Sequence, residues 1–153
     1  MATTTAKLDA RMKREIVDEC RDLVIELVHA GDHGELEKAI DLWIPTGTWI
    51  RGGKPFTGRE QLLESFKRAS DTTLIRHLVV DTKITVKDES NAEGVSYYLA
   101  INHDPKTKEP KLPLPLEPFS MGEWHDKYVK TPQGWRFSHR EVKRLFQKPG
   151  GGH

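Results

Sequence analysis

LIRHLVVDTKITV, Leu74 to Val86, and AEGVSYYLAINH, Ala92 to His103, are two long runs rich in β-branched and aromatic residues, parted by a polar turn. MGEWHDKYVKT, Met121 to Thr131, and WRFSHREVKRLF, Trp135 to Phe146, repeat the pattern around a Pro132-Gln133-Gly134 break. Runs of this composition bounded by turn residues read as strands of an antiparallel meander. Between the second and third, Asp104 to Pro118 holds Pro105, Pro110, Pro113, Pro115 and Pro118. That is too much proline for a ladder strand, so a long rim loop is expected, placed to cover a pocket.

Upstream the period changes. Leu8, Met12, Ile16, Leu23, Val24, Leu27 and Val28 recur at helical spacing as far as Ala30. Gly31 is the expected stop, and Asp32 is placed to cap the next helix. Leu36, Ala39, Ile40 and Trp43 form a second helical stripe before Pro45, predicting an antiparallel helix pair. Thr46 to Arg51 reads as a short strand ending at Gly52-Gly53, and Thr57-Gly-Arg-Glu60 has the form of a capping box ahead of Leu62, Leu63 and Phe66. Helices first and a meander second predict a single α+β domain, its helices closing one end of a curved sheet that encloses a pocket.

Bulk properties narrow the function classes. The 153 residues suit one domain, and 24 Lys plus Arg against 23 Asp plus Glu leave a formal charge of +1, without the basic excess of a nucleic-acid binder. Cys20 is the single cysteine, which excludes an internal disulfide framework and a multi-cysteine metal centre. No run approaches the ~20 apolar residues of a membrane span. Met1 to Lys7 has no signal-peptide core, so a cytoplasmic protein is expected. Residues 1–7 read as a disordered N-terminus, 8–147 as the domain, and 148–153, ending in Pro149-Gly-Gly-Gly-His153, as a flexible tail.

Several polar residues fall on strands whose faces are otherwise apolar. Strand parity aligns Val95, Tyr97, Leu99, Ile101 and His103, the set expected to face inward; His103 is then either a buried histidine or a pocket acid–base group. His77, sharing a face with Ile75 and Val79, is also expected inside the curve. Each buried imidazole needs a partner or must stay neutral. Asp32 has two readings, a helix cap or a carboxylate that orients His77. His29 and His33 straddle Gly31, which argues against a metal-binding helix. Arg140 reads as a surface ion pair or as a ligand for an anion or carbonyl. No phosphate loop, nucleophile elbow or HExxH motif occurs.

The order Gly31-Asp32-His-Gly-Glu35, Asp41-Leu-Trp-Ile-Pro-Thr46, Phe56-Thr-Gly-Arg-Glu60, Ile75-Arg-His-Leu78 and Gly134-Trp-Arg-Phe137 resembles the SnoaL-like family of the nuclear transport factor 2-like superfamily, over roughly Lys13 to Phe146. The resemblance implies a cone-shaped α+β barrel, helices on a strongly bent, mainly antiparallel sheet, with the ligand cavity inside. Within that superfamily the chain looks most like the branch of scytalone dehydratase and bile-acid dehydratase. There an aspartate after the first helix pairs with a strand histidine, and Asp32 and His77 occupy those positions. His103 matches a second pocket histidine, and Arg140 loosely matches a pocket arginine. The pocket tyrosine of the scytalone enzyme falls on Gly31 and that of the bile-acid enzyme near Leu27; a serine and an asparagine fall on Gly122 and Trp124. The substrate is therefore expected to differ, with Tyr97, Tyr98 or Tyr128 as the substitute donor.

The expected activity is that of a cofactor-independent lyase or isomerase, without metal, acting on a small, cyclic, mostly apolar hydroxy-carbonyl compound. Asp32, His77 and His103 are the expected catalytic residues, with Trp43, Trp49, Phe66, Tyr97, Trp124 and Arg140 lining the substrate pocket. An imidazole's ordinary pKa of ~6.5 suits a base working near neutral pH. The same fold also serves non-catalytic binding or assembly modules, and a polyketide cyclase would use the same dyad. Tyr98, Ala100 and Val129 are expected on an outer sheet face covered by a second subunit, giving a homodimer, with a trimer as the alternative.

Overall fold

The computed structural model describes residues 8–68 and 70–150, so the expected disorder of residues 1–7 lies outside it, as do residues 151–153 of the tail. Helix α1, Ala10–Asp32, starts at Asp9, whose carboxylate accepts the Met12 amide at 2.8 Å. It buries Ile16, Leu23, Val24, Leu27 and Val28 of the expected stripe, with Cys20 beside them, while Met12 stays exposed. Gly31 does not stop it. The amide of Glu35 donates to Ala30 O at 2.8 Å and that of Gly34 to Gly31 O at 3.2 Å, a Schellman closure whose left-handed residue is Gly34 at φ 73°. The helix therefore runs one residue past Gly31, and Asp32 becomes its last residue instead of the cap of the next helix.

Helix α2, Leu36–Asp41, is only six residues long, and Trp43 opens strand β1, Trp43–Arg51, instead of extending the helical stripe. The Phe137 amide donates to Leu42 O at 2.9 Å, drawing the chain into the sheet before Trp43 can complete a helical turn. Strand β2, Lys54–Thr57, forms a hairpin with β1 across Gly52 and Gly53, both at positive φ, and it precedes α3, Gly58–Phe66. The expected capping box does not form. The Thr57 hydroxyl bonds Thr48 Oγ1 across the hairpin at 2.9 Å, and Gln61, not Glu60, reaches back to the Thr57 amide at 2.8 Å.

Four long strands complete the chain: β3 Leu74–Val86, β4 Asn91–His103, β5 Pro118–Thr131 and β6 Gly134–Gln147. All six strands make one curved, unclosed sheet in the order β2-β1-β6-β5-β4-β3, antiparallel throughout except for the parallel β1–β6 pair. Helix α1 lies in the concavity, its apolar stripe sharing one core with Ala92, Tyr98, Ala100, Trp124, Tyr128 and Phe137.

On β4 the concave face belongs to Ala92, Gly94, Ser96, Tyr98 and Ala100, all buried, and not to the more hydrophobic set of Val95, Tyr97, Leu99 and Ile101. The reason is space. A Cβ on Gly94 would lie 2.8 Å from Ile84 Cδ1 and 3.0 Å from the Tyr128 hydroxyl, so only small residues fit where neighbouring aromatics cross the interior. Tyr97, 45% exposed, is thus no pocket wall, and Tyr98 and Ala100 cannot belong to an outer subunit interface. On β3 a register shift between Val79 and Asp81 changes the parity, so that Ile75, His77, Val79, Thr82, Ile84 and Val86 all turn inward.

Candidate functional site

The end of α1 and the start of β3 meet at one residue pair. Asp32 Oδ1 stands 2.6 Å from His77 Nδ1, and Asp32 Oδ2 accepts the His77 backbone amide at 2.7 Å. The carboxylate is 6% exposed and owes its position to the Schellman closure. Arg68, beyond α3, ties that helix end down by donating from Nη2 to Gly31 O at 2.8 Å and to Asp32 O at 2.7 Å. Because both Asp32 oxygens accept, Nδ1 is the donating nitrogen of the His77 ring and Nε2 is the one left to act as a base. The His77 side chain keeps 25% of its surface exposed.

Aromatic rings frame the imidazole. His77 lies 5.6 Å from the Trp124 ring centroid and 6.1 Å, edge-on, from that of Tyr98; Tyr98 and Trp124 stack at 4.7 Å. Farther into the cone, Arg140 donates from Nε and Nη2 to the two oxygens of Asp126, both at 2.7 Å, and its guanidinium covers Trp124 at 4.4 Å and Phe137 at 4.9 Å. Tyr128 donates its hydroxyl to Asp126 Oδ2 at 3.1 Å. Burial raises the Tyr128 phenol well above its ordinary pKa, and the Asp126 charge adds to the effect. Burial likewise pushes the Cys20 thiol up to about 12.

These contacts sort the expected site residues. Asp32, His77 and Trp124 come together. Trp49 stacks 6.2 Å from Trp43 and packs 4.7 Å from Phe66; Trp43 also meets Phe137 at 5.2 Å. Phe66 fills the space beside Gly31, where a Cβ would come within 3.3 Å of its ring. Arg140 is neither a surface pair nor an open ligand site, because the buried Asp126 engages its fork. His103 is a correction too. It pairs with Leu74 on the parity of Tyr97 and Ile101, away from His77, and lines a separate rim cleft of about 300 Å³ with Glu117, Phe119 and Lys148.

Of the candidate tyrosines, Tyr97 points outward and Tyr128 is engaged by Asp126, which leaves Tyr98 beside the imidazole. Strand parity read from the sequence puts Tyr98 on the outer β4 face, the reverse of its place here, and nothing in the sequence marks Arg68. The Pro-rich segment does form a rim: Thr107, Lys108 and Pro110 close a cleft of about 260 Å³ over Asp32, Arg68 and Leu74.

A family model described as a SnoaL-like domain matches residues 13–141. Among solved structures, one assigned provisionally as a scytalone dehydratase from Novosphingobium aromaticivorans superposes with a TM-score of 0.79 at 16% identity, covering 95% of this chain and 93% of that chain. An NTF2-like protein with a cystatin-like fold from the same species gives 0.72 at 19% identity, covering 93% and 90%. A provisional dehydratase of the NTF2-like family from Streptomyces avermitilis gives 0.72 at 16%, covering 88% and 99%. At these identities the likeness establishes the cone fold alone. No curated protein is similar in sequence.

Proposed function

The chain belongs to the SnoaL-like domain family, and from that premise we propose that it is a cofactor-independent lyase or isomerase of the dehydratase kind, acting on a cyclic, mostly apolar hydroxy-carbonyl compound. The observation that carries this reading is the two-oxygen hold of Asp32 on His77. His77 Nε2 removes the C–H proton next to the substrate carbonyl while Asp32 stabilises the imidazolium that forms. Tyr98 donates to the carbonyl oxygen as enolate charge develops. The enolate then reforms its carbonyl and expels the hydroxyl, which leaves as water with the proton that His77 took. Trp124, Trp49 and Phe66 supply apolar walls for the ring.

The test is a panel of cyclic β-hydroxy ketones followed by the absorbance of the enone product. His77→Ala is expected to abolish turnover with an unchanged circular dichroism spectrum, and near-normal turnover by that variant overturns the proposal. A polyketide cyclase would use the same dyad for an aldol closure. The non-catalytic binding module is a second reading, favoured by the buried Arg140–Asp126 pair that fills the deeper cone. No described helix is long and apolar enough to cross a membrane. The cytoplasmic location and the homodimer stay within the proposal, the latter now through the exposed Leu78, Val80 and Tyr97 on the convex face.

A further inference from the structure

At the mouth of the cone stand two arginines that the dyad chemistry does not use. Arg51 ends β1 on the parity of Trp49; its Nη1 donates to Ser65 O at 2.7 Å, and its guanidinium lies 5.8 Å from the Trp49 ring centroid. Arg144 sits on β6 opposite Gly122, which in turn faces Tyr98 on β4. A Cβ at Gly122 would lie 3.0 Å from the Tyr98 hydroxyl and 2.9 Å from Arg144 Cα. The missing side chain thus lets that hydroxyl lie over β5, close beside Arg144.

Both guanidiniums bond neutral acceptors, Arg51 the Ser65 carbonyl and Arg144 the Gln147 carboxamide at 3.0 Å. Among the described residues neither forms an ion pair with a carboxylate. Desolvation first, and then the charge of Arg144, holds the Arg51 pKa below its ordinary value. The parallel β1–β6 register, with Trp49 opposite Arg140, carries Arg51 and Arg144 onto the same face of neighbouring strands; two such cations without an anion between them gain when one arrives, and the planar guanidinium fork matches a carboxylate.

We propose that Arg51 and Arg144 form a carboxylate subsite, so that the substrate is a cyclic hydroxy-carbonyl acid whose carboxylate docks at the mouth while its reacting carbon faces His77. The inference rests on the dyad reading for the second half of that statement, since Tyr98 stands between the two groups, within ring contact of His77 and beside Arg144. Steering by the pair also accounts for specificity, because a neutral ring of the same shape would leave the two charges uncompensated.

Calorimetric titration with 2-naphthoate and with the neutral 2-naphthamide tests the subsite apart from turnover. At low salt the naphthoate is expected to bind at least about tenfold tighter, the scale of a charge-assisted hydrogen-bond pair. Arg144→Gln, at an exposed side chain, should remove most of that preference while leaving naphthamide affinity unchanged; Arg51→Gln should do the same if α3 keeps its place. Equal affinity for the two probes, no measurable affinity for either, or an undiminished preference in Arg144→Gln overturns the subsite. His77→Gln should keep the preference. Loss of the preference alongside His77-dependent turnover defeats the subsite alone, and a kept preference with His77-independent turnover defeats the dyad alone.

Discussion

Asp32 and His77, 45 residues apart, are joined twice: one carboxylate oxygen meets the ring Nδ1 at 2.6 Å and the other the backbone amide at 2.7 Å. The double attachment fixes both the place of the strand residue and the direction of its ring. A single contact would leave the imidazole free to turn about χ2, whereas here the carboxylate plane and the strand backbone set its orientation together. The dyad is therefore a product of where α1 ends.

Asp32→Asn is expected to lower turnover roughly 10²–10⁴-fold, since the amide can neither hold the Nδ1 proton as strongly nor balance the imidazolium. The fold should survive, because the carboxamide oxygen can still accept the His77 amide. Initial rates on a substrate found in the hydroxy-ketone panel, with a thermal melt as control, measure both effects. A rate within a factor of about three of wild type would show that the aspartate is not needed to orient or charge-balance the base.

Gly34→Ala should destabilise the protein more than Gly31→Ala. At φ 73° a side chain on residue 34 costs about 1–2 kcal/mol, and the Schellman bonds that place Asp32 are strained with it. Gly31 is inside the helix, where alanine gains about 0.5–1 kcal/mol of propensity against a 3.3 Å approach to the Phe66 ring. Urea denaturation of the two variants gives the order directly.

Asp126→Ala should cost roughly 3–5 kcal/mol by leaving the Arg140 guanidinium buried without its partner. The double variant Asp126→Ala with Arg140→Met should recover much of that loss, since an apolar side chain of similar length can lie between Trp124 and Phe137. A double-mutant cycle by denaturant melts would expose the coupling; simple additivity of the two losses would contradict the pair.

Alkaline stability should fall from about pH 9. The Cys20 thiol is raised by burial from its ordinary 9.0 to about 12, so the folded state stays protonated where the unfolded state ionises. Its contribution is complete below pH 9 and is lost as pH rises towards 12, with a slope of up to about 1.4 kcal/mol per pH unit. The raised Tyr128 phenol acts in the same direction. Denaturant midpoints between about pH 8 and 11 should decline more gently in Cys20→Ala, and native protein at about pH 8 should resist iodoacetamide.

Much of the architecture was legible because it depends on periodicity. The α1 stripe, the four long strands and the proline-rich rim all come from which residues repeat and which cannot join a ladder. Trp43, an apolar residue four positions beyond Ala39, fits a helix as well as a strand start, and only the Phe137–Leu42 hydrogen bond decides between them. Capping at Thr57 failed for a similar reason: the sequence offers its hydroxyl to the helix, while the hairpin brings Thr48 closer.

The amino-acid sequence alone determined the fold class, the ends of most strands and the presence of an aspartate and a histidine able to form a dyad, because local propensity and hydrophobic period act within a few residues. The tertiary structure alone decided which face of β4 turns inward, and with it that Tyr98 and not Tyr97 stands beside His77, that His103 lies away from His77, and that Arg140 belongs to Asp126. Strand parity fixes which residues share a face, but which of the two faces is buried depends on the volume that α1 and the aromatic rings of β5 and β6 leave free.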